Sequence, residues 1–164
     1  MDLDGPAAPP ELSMLPGVGV VVETLLIGAT DDGLTFRAFE RPLGDDEHPD
    51  QVARELAGFG AQLLHSTSWR FAAGRIVLTY AALPDPDPRT ATQLEGVGLT
   101  AVGSGPLQPS PATIDLAAVV LHAVRHLAFL RHTDDAAAAA ANGDPRLWAL
   151  ISRHEPALAG TLRR

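Results

Sequence analysis

The sequence predicts an α/β (α+β) domain, with a small mixed or antiparallel sheet covered by about four helices. Two hairpin-like stretches in the first half supply the strands, together with one optional extra strand. Helix-like stretches follow in the second half, and no long series alternates strands with helices. That order predicts a small mixed sheet covered by helices rather than a repeated βαβ arrangement.

The first hairpin is predicted by composition and by a turn. Residues 18–27 read VGVVVETLLI, the apolar and β-branched content of a strand buried on both faces. The turn signal Asp31-Asp32-Gly33 follows, and residues 34–41 then alternate apolar with polar side chains.

The first helix is predicted after the acidic loop 42–49. Asp50 is the expected N-cap, because its carboxylate can accept a bond from the first turn of a helix. The apolar residues beyond it recur close to helical spacing, at Val52, Leu56, Phe59 and Leu63.

The second hairpin is predicted from residues 69–71 and 75–83 around Ala72-Ala73-Gly74. Residues 84–88 (PDPDP) predict a stiff extended linker that cannot join a ladder, because proline has no amide hydrogen to donate. The optional extra strand is placed at residues 97–102.

The C-terminal half predicts helices. The longest covers residues 114–132 with Thr113 as N-cap, an alanine helix follows at 136–141, and Pro145 opens the last one. Residues 1–13, rich in proline, are expected to form a flexible N-terminal arm, and residues 14–164 a single globular domain.

Composition excludes several chemistries. The twelve basic residues are all arginine, twenty residues are acidic, and the net charge is −8. Without lysine or cysteine, Schiff-base, thiolate and Cys-ligated metal chemistry are impossible. The charge balance argues against nucleic-acid and membrane-surface binding. The lack of a basic, apolar opening and of a spanning apolar stretch predicts a cytoplasmic protein.

Residues 43–49 (LGDDEHP) and 52–56 (VAREL) carry a partial motif. This loop, leading into a helix with Arg-Glu-apolar between two hairpins, resembles the Nudix hydrolases. In that family such a helix goes on to two further carboxylates that hold magnesium against a diphosphate. Arg54, Glu55 and Leu56 match the first three positions, but Gly58 and Phe59 occupy the carboxylate positions. The resemblance implies a Nudix-like scaffold, with Asp46 and Glu55 as its remaining candidate metal ligands.

A candidate ligand site lies at the expected junction between the first helix and the second hairpin. It combines a titratable base, hydroxyls, an aromatic ring and a guanidinium, which suit an anionic or planar ligand. Its residues are His65, Ser66, Ser68, Trp69 and Arg70. The structural alternative has the hydroxyls satisfying a turn, Trp69 filling the core and Arg70 pairing with an acid.

A second candidate is the pair His122 and His126, four residues apart on one helix face. This spacing suits two zinc ligands, and a third ligand could come from His65, His132, His48 or a carboxylate. The alternative is two histidines at the edge of the core, packing their rings and touching solvent.

Three functions follow from these patterns. We expect a non-catalytic ligand-binding or interaction domain on a Nudix-like scaffold, without a cofactor, whose partner is a small molecule or a protein. The first alternative is a metal-assisted hydrolase of a nucleoside-diphosphate-type substrate. The second is a structural homodimer through the helix 114–130.

Overall fold

The computed structural model describes residues 18–94 and 115–159. The strands are β1 (Val20–Thr30), β2 (Gly33–Pro42), β3 (Leu63–Ala72), β4 (Arg75–Leu83) and β5 (Thr92–Gln93). The helices are α1 (Pro49–Ala57), α2 (Leu116–Leu130), α3 (Asp135–Gly143) and α4 (Pro145–Ile151). These elements confirm the predicted class, a small sheet with four helices.

The sheet is mixed and has the strand order β3-β4-β1-β2-β5. β1 pairs antiparallel with β2, and β3 pairs antiparallel with β4, so both predicted hairpins form. The two hairpins are joined by parallel pairing of β1 with β4. β1 is therefore the central strand, and residues 21–28 of it are all buried, as its apolar run predicts.

Helices cover both faces of this sheet. Val22 and Leu26 of β1 belong to the clusters that pack against α1. Leu25 and Ile27, which point to the opposite face, pack with residues of α2, α3 and α4. The two faces are called the α1 face and the α2 face below.

Helix α1 begins and ends earlier than its apolar periodicity predicts. His48, not Asp50, is the N-cap, and its ring nitrogen accepts a bond from the amide of Asp50. The helix stops at Ala57 because Gly58 takes a positive φ of 70°, a conformation that glycine adopts without strain. Phe59 therefore lies outside the helix and is fully exposed, and Leu63 starts β3.

The C-terminal helices are each capped by an aspartate. The described part of α2 begins at Leu116 with Asp115 as N-cap, so the prediction of Thr113 was wrong by two residues. Asp134 and Asp144 cap α3 and α4, each accepting from an amide three residues on. Such caps satisfy amides that a helix start leaves unpaired.

The proline-rich linker differs from its prediction. The amide of Asp85 donates to the carbonyl of Ile27 at 2.8 Å, so this segment does bond to β1 at one position. A short 3-10 turn at Pro88–Thr90 and β5, which pairs with β2, follow. The predicted strand at 97–102 and the predicted arm at 1–13 lie outside the described residues.

No helix in the described part of the chain has the length and hydropathy needed to cross a membrane.

Candidate interaction edge at β3

β3 lies at one end of the sheet. Nine of its ten residues pair on one side with β4, and within residues 18–94 and 115–159 no strand pairs with its other side. The pairing with β4 is interrupted between Ser66 and Ser68, where Thr67 forms a bulge. We call the side of β3 that faces away from β4 the outer edge.

The turn between β3 and β4 fixes which backbone groups point to the outer edge. Ala73 and Gly74 both have positive φ, 50° and 75°, as a two-residue hairpin turn of type I′ requires. Ala72 and Arg75 then form a hydrogen-bonded pair, and the pairs along the ladder alternate between bonded and non-bonded.

Phe71–Ile76 and Trp69–Leu78 are accordingly the non-bonded pairs. The amide of Ile76 supports this assignment, because it donates away from β3, to the carbonyl of Gly19 at 3.0 Å. Trp69 and Phe71 therefore direct their amide and carbonyl groups to the outer edge.

The side chains of Trp69 and Phe71 are also exposed. Trp69 retains 66% of its accessible surface and Phe71 58%, whereas the other tryptophan, Trp148, retains 1%. Both rings lie on the α1 face, since their partners Leu78 and Ile76 do. Two neighbouring exposed aromatic rings beside backbone groups that bond to no other described residue are a feature of binding surfaces.

The outer edge has two of the features that discourage strand pairing, the bulge at Thr67 and the inward-pointing charge of Arg70, but it lacks the others. Edge strands are usually protected by lysine, proline or inward-pointing charges. β3 has no lysine, proline or carboxylate, and its one arginine, Arg70, points to the α2 face. The bulge at Thr67 is the only interruption, and it leaves residues 68–72 regular.

The guanidinium of Arg70 is hydrogen-bonded to other side chains of the same chain. Its two terminal nitrogens donate to the two carboxylate oxygens of Glu23, each at 2.8 Å, and one also donates to the hydroxyl of Thr79 at 2.9 Å. Thr79 donates in turn to Glu23 at 3.0 Å. Because Glu23 is buried, this network satisfies a charge in the interior and leaves little of Arg70 for a ligand.

The five residues of the sequence-predicted ligand site divide between the two faces of β3. Ser66 and Trp69 lie on the α1 face, and His65, Ser68 and Arg70 on the α2 face. The structure therefore does not bring the five side chains to one cleft. Ligand binding by the whole set stays a prediction.

The sequence-predicted site omits Phe71, the second exposed aromatic ring of β3. The segment Trp69-Arg70-Phe71 placed two aromatic rings two residues apart around an arginine, so one face of a strand would carry both rings. This spacing was visible in the sequence. It indicates a binding surface only because β3 is an outer strand, which the sequence does not show.

The histidines proposed as metal ligands are buried. His122 and His126 are 8% and 5% exposed, so they lie inside the core rather than at its edge. The Nδ1 nitrogen of His126 is bonded to the carbonyl of Ala157 at 3.2 Å. Within the described residues no three side chains of metal-ligating type are grouped so that they could hold an ion.

The two candidate ligands on the Nudix-like segment lie on different elements, one in a loop and one in a helix. Glu55 accepts from Arg41 at 2.8 Å and from Gln51 at 3.2 Å, while Asp46 lies exposed in the loop before α1. Gly58 and Phe59, at the positions where the family carries carboxylates, lie beyond the end of the helix.

Helix α2 packs against other parts of its own chain. Ten of its fifteen residues are buried, and they pack against the sheet and the other C-terminal helices. The apolar surface that suggested a homodimer through 114–130 is thus largely covered by the chain itself.

Comparison with known proteins gives no match to a family model, to a curated protein or to a solved structure. The function is therefore inferred from the geometry of the chain.

Proposed function

We propose that this chain is a non-catalytic interaction domain that binds an extended segment of another protein along the outer edge of β3. The observation that supports it most is the coincidence of exposed rings and outward backbone groups at Trp69 and Phe71. In strand addition, backbone bonds give affinity and alternate side chains give specificity. The rings of these two residues supply the side-chain contacts on the α1 face.

Stable binding of a partner needs both the contacts of the aromatic rings and the backbone hydrogen bonds. Burying the exposed part of each ring is worth roughly 3 kcal/mol at about 25 cal/mol per Å². Association costs on the order of 4–15 kcal/mol in lost freedom of motion. Two rings alone therefore hold a partner poorly, and the outward amides and carbonyls of β3 must add their bonds.

The charge of the β3–β4 hairpin indicates what kind of partner segment can bind at the outer edge. The β3–β4 hairpin, residues 63–83, contains Arg70 and Arg75 but no carboxylate, in a chain of net charge −8. Arg70 is paired with Glu23, while Arg75 is exposed at the turn and forms no ion pair with another described residue. A partner with alternating apolar side chains and a carboxylate near Arg75 complements this edge. A second copy is disfavoured because it also carries a net charge of −8.

The test is a selection from a library of random ten-residue peptides displayed on phage, with the purified chain as bait. We expect the enriched peptides to alternate apolar with polar residues and to carry acidic residues at one end. They should lose binding to Trp69→Ser and to Phe71→Ser. Phe59→Ser is the matched control, since it removes an exposed aromatic residue that lies outside β3.

Two outcomes count against the proposal. One is enrichment of peptides that bind Trp69→Ser as well as they bind the wild type. The other is sedimentation of the chain as a dimer that Phe71→Ser dissociates, because the edge would then be occupied by a second copy instead of another protein.

The Tyr80–Asp50 contact, also on the α1 face, has no part in this function but links helix α1 to the sheet. The Tyr80 hydroxyl donates to an Asp50 carboxylate oxygen at 2.5 Å, linking β4 to the first turn of α1. The helix is thereby held over Val22 and Tyr80, while the rings of Trp69 and Phe71 are exposed among the described residues.

A further inference from the structure

An apolar patch on the α1 face extends from the outer edge of β3 to the start of β1. None of its residues is fully buried, and they are Val20, Trp69, Phe71, Ile76 and Leu78. They are neighbours in the sheet, because Phe71 pairs with Ile76 and Ile76 pairs with Val20. Val18, the first described residue, is 55% exposed. The apolar patch therefore reaches the point at which residues 1–17 join the described chain.

Residues 11–15 (ELSML) precede this patch closely in the sequence. Leu12 and Met14 alternate with polar residues, so an extended backbone would carry both apolar side chains on one side. Trp69 and Phe71 are likewise two residues apart on one face of β3. Residues 11–15 thus have the alternating apolar pattern that the outer edge is proposed to bind.

The outer edge is within reach of these residues. Adjacent strands are about 4.8 Å apart, so β3, two strands away from β1, lies at about 10 Å from it. An extended chain advances about 3.3 Å per residue, and Met14 precedes Val18 by four residues. The chain from Val18 back to Met14 can therefore span about 13 Å, enough to cross β4 and reach the rings of β3.

The charges of the two parts are complementary. Residues 1–17 contain three carboxylates and no basic residue, whereas the β3–β4 hairpin contains two arginines and no carboxylate. One of these arginines, Arg75, lies beside the chain just before β1, since its Cγ would be 3.6 Å from a Cβ placed on Gly19. The acidic residues 1–17 are therefore attracted to the hairpin, although the whole chain has a net charge of −8.

We propose that residues 11–15 fold back on the apolar patch and reversibly cover Trp69 and Phe71, so that the chain inhibits its own binding edge. This inference rests on the proposed function, because it makes the chain's own residues the competitor of the partner segment. The edge is then available only to a partner that binds better than residues 11–15 do.

Tethering explains how a few side chains can suffice for this contact. Residues 11–15 are joined to β1 through Val18, so they avoid most of the loss of freedom that a separate molecule suffers on association. Pro10 and Pro16 border them and have no amide hydrogen, which prevents pairing as a long strand. A partner that makes the full set of backbone bonds to β3 can therefore displace them.

Acrylamide quenching of tryptophan fluorescence tests the contact in the full chain. Trp69 is 66% exposed and Trp148 only 1%, so Trp69→Phe gives the signal of Trp148 for subtraction. The triple variant Leu12→Ser, Met14→Ser, Leu15→Ser removes the apolar side chains. If residues 11–15 cover the ring for at least half of the time, the quenching rate of Trp69 rises at least about twofold in this variant.

The matched control is Leu3→Ser, which changes an apolar residue of the same acidic stretch outside residues 11–15. It should be quenched like the wild type. Equal quenching of the wild type and the triple variant would overturn the proposal. Protection of Trp69 that increases with protein concentration would also overturn it, because the covering residues would then come from another copy.

The affinity for a peptide selected on the wild-type chain tests the inhibition. The triple variant should bind this peptide at least about twofold more tightly, since its competitor has been removed, while Leu3→Ser should bind it like the wild type. Unchanged or weaker binding by the triple variant would overturn self-inhibition and leave the proposed function standing. If the selection yields no peptide, the proposed function fails, and the quenching experiment decides whether residues 11–15 cover the patch.

Discussion

Arg70 and Glu23 are joined across β4 by two hydrogen bonds of 2.8 Å, one to each carboxylate oxygen. Arg70 lies on the outer strand and Glu23 on the central one, so the pair ties β3 to the middle of the sheet. Because Arg70 points to the α2 face, its neighbours Trp69 and Phe71 must point to the α1 face. The buried ion pair and the exposed aromatic edge are thus two consequences of one strand orientation.

We expect Arg70→Ala to destabilise the fold strongly. Glu23 would keep a buried charge without its partner, and breaking such a pair costs about 3–5 kcal/mol. Urea unfolding measures the loss. The double variant Arg70→Met with Glu23→Leu should recover most of it, since no charge is then buried. A double variant as unstable as Arg70→Ala would show that the pair's charges are not the cause.

Gly28→Ala is expected to destabilise by about 1–3 kcal/mol, the usual effect of an extra methyl group in a packed site. A Cβ at Gly28 would lie 2.9 Å from the Cβ of Asp85 and 3.1 Å from that of Pro88. Gly19→Ala is the control, because its Cβ would meet only the Arg75 side chain at ordinary distances. Equal unfolding free energies for the two variants would contradict the close packing of the linker on β1.

Tyr80 should resist ionisation until the protein unfolds. Burial, and next the hydrogen bond to Asp50, raise the pKa of its phenol above the usual value of about 10. The folded state thus binds this proton more tightly, so its contribution to stability is full below pH 10 and is lost as the pH rises further.

Absorbance measured at alkaline pH follows the ionisation of Tyr80 alone, since the chain has one tyrosine. In urea the same chain should titrate near pH 10, which provides the reference. A folded protein that also titrates near pH 10 would contradict the buried hydrogen bond.

The hairpins and the C-terminal helices could be predicted because their signals are local. β1 has an apolar run typical of a strand buried on both faces, and α2 has a capped apolar pattern of helical period. The end of α1 could not be predicted from periodicity. Phe59 and Leu63 continue the helical pattern, but Gly58 and Gly60 both take positive φ and turn the chain into β3.

The candidate site depends on two features that a local pattern does not contain. The parallel pairing of β1 with β4 makes β3 an outer strand, and only long-range contacts decide that order. The bulge at Thr67 also changes the alternation. Without it Ser66 and Ser68 would share a face, whereas with it Ser66 shares a face with Trp69. The predicted site residues are adjacent in sequence, but because side chains alternate along a strand they are divided between the two faces of β3.

The outer edge of β3 is tested most directly by comparing Phe71→Pro with Phe71→Ala in binding to a peptide enriched on the wild-type chain. Both variants lack the ring, but only proline also removes the amide hydrogen that points away from β4. Proline is tolerated at such an edge position, so unfolding free energies of the two variants should agree within about 1 kcal/mol. We predict binding at least about tenfold weaker for Phe71→Pro than for Phe71→Ala, as the loss of a backbone bond worth about 1.4 kcal/mol implies. Equal affinity of the two variants would contradict strand addition at β3.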